Sequence, residues 1–141
     1  ILGIGVIMSA EKYLKSGRNN TLLLSNGIGF ETSGQWVNAV DETELDRWYV
    51  GAYSHAEYSI VADYDFDNKE IIRCLVTATP DAASLVVYGR STVGEPIVDV
   101  IGSVNDSYFS LKAIPKTGKL GCQVYLHRHY YQNNNLQEKR T

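Results

Sequence analysis

From Ala56 onward, apolar and polar positions alternate with a period of two, the repeat of a strand that is buried on one side. "AEYSIVADY" (56–64) sets Tyr58, Ile60, Ala62 and Tyr64 on one face. "KEIIRCLVTA" (69–78) sets Ile72, Cys74, Val76 and Ala78 against Arg73 and Thr77. "ASLVVYG" (83–89), "PIVDVIG" (96–102), "SYFSLKAIP" (107–115) and "GCQVYLHRHYYQ" (121–132) continue the series. The clusters "TPDA", "RSTVGE", "SVND" and "PKTGK" lie between them and carry the residues that turns need. Strands at this spacing, with no helical period between them, predict an antiparallel β-sandwich of roughly seven to nine strands with little helix.

The first 55 residues are less regular. "NNTLLLSNG" (19–27) reads as a strand closed by Asn26-Gly27, a strong hairpin dipeptide. "GIGFETSGQWVNAV" (27–40) reads as a strand loosened by glycine, a turn, and a second short strand holding Trp36. "DETELDRW" (41–48) resembles one turn of helix capped by Asp41, with Glu44 three residues on. "ILGIGVIM" (1–8) is too short for a membrane span, which takes about twenty residues. It also lacks the charged start and the cleavage site of a signal peptide. The expected organisation is an apolar arm at 1–8, one β-sandwich domain over 9–132, and a polar tail at 133–141. The arm is expected as a plain apolar arm or edge strand, or as a segment that docks onto a neighbouring subunit.

"ADYDFDNKE" (62–70) places Asp63, Asp65 and Asp67 at alternate positions, as a calcium loop does at its start. Such a loop needs Gly at its sixth position and Glu at its twelfth. Counted from Asp63 these are Asn68 and Cys74, and the flanks are strands. The stretch is therefore read as a hairpin turn whose Asp and Asn side chains bond nearby backbone.

Composition narrows the class of function. Ten Tyr, twelve Gly and one Met suit pleated strands, and the 44% apolar and 21% charged shares are those of a globular domain. The net charge of −3, with no basic stripe, argues against nucleic acid as a partner. Cys74 and Cys122 have no metal-type spacing. They are expected as two buried thiols, with one disulfide as the alternative. No G-x-S-x-G occurs, and the two "GIG" triplets lack the rest of a phosphate or dinucleotide loop. Neither an enzyme nor a cofactor is expected.

One constellation remains. In "YLHRHYY" (125–131), Tyr125, His127, His129 and Tyr131 share one side of a strand, while Cys122, Val124 and Leu126 take the other. Aromatic and imidazole side chains in an outward row suit a contact with protein or glycan. A plain solvent face is the bland alternative. A metal would need a third ligand, and His55 is the only other histidine.

The segment from Ala56 to Tyr131 resembles a β-domain found in virion structural proteins of tailed bacteriophages, especially those infecting marine cyanobacteria. The matching pieces are Ala56–Ile60, Glu70–Thr77, Val87–Gly89, Gly94–Ser103, Phe109–Pro115 and Val124–Arg128. The resemblance implies a non-enzymatic component of the particle (capsid decoration, neck or tail) that packs against other virion subunits and copies of itself. It implies assembly in the host cytoplasm, where thiols stay reduced. A module such as a fibre tip that binds a host surface glycan or receptor is the alternative. No membrane partner is expected.

Overall fold

The computed structural model describes residues 20–23, 28–37 and 41–133. Every regular element among them is a strand: β1 (Asn20–Leu23), β2 (Ile28–Val37), β3 (Thr43–Tyr49), β4 (Tyr53–Asp63), β5 (Lys69–Ala78), β6 (Ala83–Val93), β7 (Val98–Asn105), β8 (Tyr108–Pro115) and β9 (Cys122–Gln132). They form a six-stranded sheet of order β1-β2-β9-β4-β5-β6 and a three-stranded sheet of order β3-β8-β7. All pairings are antiparallel. The fold is the antiparallel β-sandwich that the alternation predicts.

Period-two burial is clearest in β5, where exposed and buried residues alternate without a break from Lys69 to Ala78. Its inward side chains Ile72, Cys74, Val76 and Ala78 meet Tyr58, Ile60 and Ala62 of β4 and Val124 and Leu126 of β9 in one core. The three-stranded sheet covers this layer with Leu45 and Trp48 of β3, Val100 of β7, and Phe109, Leu111 and Ala113 of β8. The Trp48 and Phe109 rings lie 4.9 Å apart. Cys74 and Cys122 are both buried free thiols, and burial pushes Cys74 up to about 12.

Three local expectations need correction. Residues 43–49 form strand β3, not a capped turn of helix. Asp46 is drawn inward there by partners far along the chain, and a register shift between Glu44 and Asp46 breaks the alternation that would have shown the strand. Residues 28–37 form one continuous strand without a turn, because β2 pairs with β9 along its whole length, from Ile28–Tyr131 to Val37–Cys122. Strand β6 does not stop at Gly89 but runs to Val93. Gly89 sits beside a bulge opposite Arg73 and Cys74, so it bends the ladder without ending it. The expected arm at 1–8, the hairpin turn at Asn26-Gly27, and residues 134–141 of the polar tail expected at 133–141 lie outside the described residues. Asn133 is described, and its Nδ2 donates to Val50 O (2.9 Å), so it is tied to the domain.

Two polar clusters are built into this interior. Asp46 accepts hydrogen bonds from Tyr58 Oη (2.6 Å) and from Arg128 (2.8 Å), and Trp48 Nε1 donates to Tyr58 Oη (2.8 Å). The cluster joins β3 of one sheet to β4 and β9 of the other. Glu70 is also buried, and accepts from Arg90 (2.8 Å), Thr92 (2.7 Å) and the backbone N–H groups of Ile97 and Val98. It fixes the passage from β6 to β7, where the chain changes sheet.

Candidate contact surface

The expected hairpin joins β4 to β5. Asp65 Oδ1 accepts from Asp67 N (2.9 Å), Asn68 N (2.8 Å) and Asn68 Nδ2 (2.8 Å), the local bonding that shapes such a turn. These donors hold the Asp65 carboxyl below its ordinary range, with the Asn68 side chain first among them. Asn68 Oδ1 in turn accepts from Glu95 N (2.9 Å), which ties the turn to the β6–β7 connection. Gly94 in that connection has a φ of +80°, and a Cβ there would lie 2.3 Å from Asp67 O, so glycine is required. Among the described residues no three His, Cys, Asp or Glu side chains converge as a metal site.

The row on β9 stands where the alternation puts it. Tyr125 and Tyr131 are 48% and 39% exposed on the outer face of the six-stranded sheet, while Cys122, Val124 and Leu126 are buried behind them. His127 is exposed and His129 half-buried. The rings of His129 and Tyr131 are 5.0 Å apart and tilted by 35°. A Cβ at Gly34 on β2 would lie 3.1 Å from the Tyr125 ring, so the missing side chain there lets that ring settle against the neighbouring strand. Because β9 lies between β2 and β4, the row has a rigid, paired support on both sides.

The neighbours across the sheet come from residues that a reading strand by strand leaves apart. Ser59 of β4 lies opposite both His127 and Arg73. Glu57 lies opposite both His129 and Leu75, and Leu75 lies opposite Val86 of β6. Glu57, Ser59, Arg73, Tyr88, His127 and His129 thereby line an open recess of about 240 Å³. Partial desolvation of the imidazole in the recess first, then the charges of His129 and Arg73, lower the His127 pKa below its ordinary value. Leu75, Val86 and Tyr88 are 44%, 53% and 52% exposed and extend the apolar part of the face to the sheet edge. Alternation alone had placed Arg73 opposite Ile72, but its meeting with His127 depends on strand order, which the sequence does not carry.

No family model and no curated protein matches the chain. Among solved structures it is similar to the tailspike protein gp49 of Acinetobacter baumannii bacteriophage Fri1, described as a capsular polysaccharide depolymerase. That likeness has a TM-score of 0.49 at 11% identity, over 90% of this chain and 22% of the tailspike. The tailspike protein of the Acinetobacter phage vB_ApiP_P1 gives a TM-score of 0.45 at 11% identity, over 72% of this chain and 21% of that one. The chain thus spans about a fifth of the length of these two proteins. Both TM-scores fall below 0.5, so neither the substrate nor the activity of those tailspikes passes to this chain.

Proposed function

We propose that the chain is a non-enzymatic structural component of a tailed-phage virion, packing through the outer face of its six-stranded sheet. The partners are other virion subunits and copies of the chain itself. The sequence resemblance over residues 56–131 supports the virion setting. The observation that carries the contact reading is the outward row Tyr125, His127, His129 and Tyr131, two of its rings lying side by side at a tilt and all of it mounted on a central strand. Half-exposed aromatics held by a rigid backbone cost little ordering entropy when a partner covers them, and aromatic residues are enriched in protein contacts. Covering two Tyr supplies a few kcal/mol, at roughly 25 cal/mol per Å².

The double substitution Tyr125→Ser with Tyr131→Ser tests this reading. Both side chains lie outside the core, so the isolated domain is expected to keep its melting temperature within a few degrees, since surface changes usually stay within about 0.5 kcal/mol. Incorporation into particles, in competition with the unaltered chain, is expected to fall. Equal incorporation of the two chains would show that this face merely meets solvent. The recess beside the row favours a second reading, a module that binds a host surface glycan.

A further inference from the structure

We infer that the recess on the outer face of the six-stranded sheet is a binding site for a carboxylated sugar of the uronic-acid class, and that a proton is taken up with the ligand. The inference rests on the reading of this face as a contact surface, and deepens its glycan form. Four adjacent strands supply one or two side chains each: β9 gives His127 and His129, β4 gives Glu57 and Ser59, β5 gives Arg73, and β6 gives Tyr88. The bulge in β6 is what makes this arrangement. Arg73 pairs with Gly89 and Cys74 with Val87, so Tyr88 is the extra residue, and it lines the recess beside Arg73. Gly89 keeps the ground next to Arg73 open, since a Cβ there would meet only Arg73 Cβ, at 3.8 Å.

The lining selects the ligand's chemistry. Arg73 is a permanent cation, and two imidazoles stand beside it against the one carboxylate of Glu57. Arg90 and Arg128 are committed to Glu70 and Asp46, whereas Arg73 enters no salt bridge among the described residues. A guanidinium fork suits a carboxylate. Glu57 and Ser59 offer acceptors to hydroxyl groups at the same distance along the sheet as His129 and His127, with which they pair. The half-exposed Tyr88 ring offers an apolar surface to the C–H face of a sugar. A volume of about 240 Å³ lies below the roughly 300–1,000 Å³ of pockets for drug-sized ligands, and suits one sugar unit. An acidic peptide side chain would use Arg73 but leave the hydroxyl acceptors and the ring without a role.

The proton follows from the charges around His127. It faces His129 and Tyr125 on its own strand, Ser59 and, one row on, Glu57 of β4, Arg73 of β5, and Tyr88 of β6. Arg73 and His129 oppose its protonation, so an anion bound between them relieves that opposition and favours the imidazolium. Binding therefore strengthens as pH falls from about 8 to about 6, still far above the carboxylate's own titration.

The test is calorimetric titration of the full chain with glucuronate, alongside glucose and acetate. Glucuronate is expected to bind at least about tenfold more tightly than either, a difference of about 1.4 kcal/mol, and several-fold more tightly at about pH 6 than at about pH 8. Arg73→Gln, an exposed position, is expected to lose about tenfold or more while the fold is kept, as checked by its melting temperature. Absence of glucuronate binding at ~20 mM, some twenty times a millimolar constant, would overturn the inference. So would equal binding of acetate, which marks a mere anion site, or affinity that rises with pH. The virion reading fails separately, through normal incorporation of the Tyr125→Ser/Tyr131→Ser chain.

Discussion

Replacing Tyr58 by Phe removes one oxygen from the hydrogen-bonded cluster that joins the two sheets. Tyr58 is 2% exposed, and its hydroxyl both donates to Asp46 (2.6 Å) and accepts from Trp48 Nε1 (2.8 Å). Asp46 keeps its bond from Arg128, but the buried indole N–H loses the acceptor seen here. Leaving a buried donor unmet costs about 1–3 kcal/mol, and the lost bond to a carboxylate lies in the same range. The effects overlap, so about 2–4 kcal/mol is expected, a large share of the roughly 5–15 kcal/mol that holds a domain of this size. Asp46→Asn keeps the shape and removes the charge opposite the buried Arg128 guanidinium, for which breaking a buried pair costs about 3–5 kcal/mol. The two substitutions act on one cluster, so the double variant should lose less than the sum. Urea unfolding measures all three. With a slope of about 2 kcal/mol per molar, Tyr58→Phe should lower the midpoint by about 1–2 M. A change under about 0.5 kcal/mol, or strict additivity with Asp46→Asn, would refute the claim that this cluster clamps the sheets together.

Other expectations follow from single groups. Burial pushes the Glu70 carboxyl up, but Thr92, Arg90 and two backbone N–H groups outweigh it and hold its pKa below the ordinary value. Its contribution is therefore full above the unfolded carboxylate pKa of about 4.3 and is lost as pH falls through the lower folded value. Glu70→Gln should cost about 2–3 kcal/mol at neutral pH and less in acid, measured by urea midpoints at each pH. Burial raises Asp46 instead, which favours the folded state on the acid side, so only the difference between wild type and Glu70→Gln isolates Glu70. At the β7–β8 hairpin, Asp106 and Ser107 both hold positive φ, 53° and 64°, in the two-residue turn. Ser107→Gly removes strain of about 1 kcal/mol and should raise the melting temperature by a few degrees, and a lower temperature would count against this view of the turn.

Much of the fold was legible because burial on one side writes a period of two into the sequence. Strands β4, β5, β8 and β9 alternate almost residue for residue, and the outward set on β9 follows from its inward set. The misses have physical causes. Asp46 and Arg128 are charges turned inward because each satisfies the other, and such a pair breaks the pattern on both strands without marking itself. The bulge at Tyr88 depends on how β6 meets β5, so "VYG" looks like an end when read alone. The recess unites Glu57, Arg73, Tyr88 and His127 through strand order, in which β9 lies next to β4 although 58 residues separate their ends, Asp63 and Cys122.

The most direct test of the virion reading is hydroxyl-radical footprinting of purified particles against the isolated chain, with the chain's copy number measured by quantitative mass spectrometry. The chain is expected in a fixed ratio to the other particle proteins, with Tyr125 and Tyr131 strongly protected in the particle and reactive when isolated. Phe66, 96% exposed at the tip of the β4–β5 turn, serves as the internal reference. Absence of the chain from particles, or equal reactivity of both tyrosines in the two states, would contradict the account.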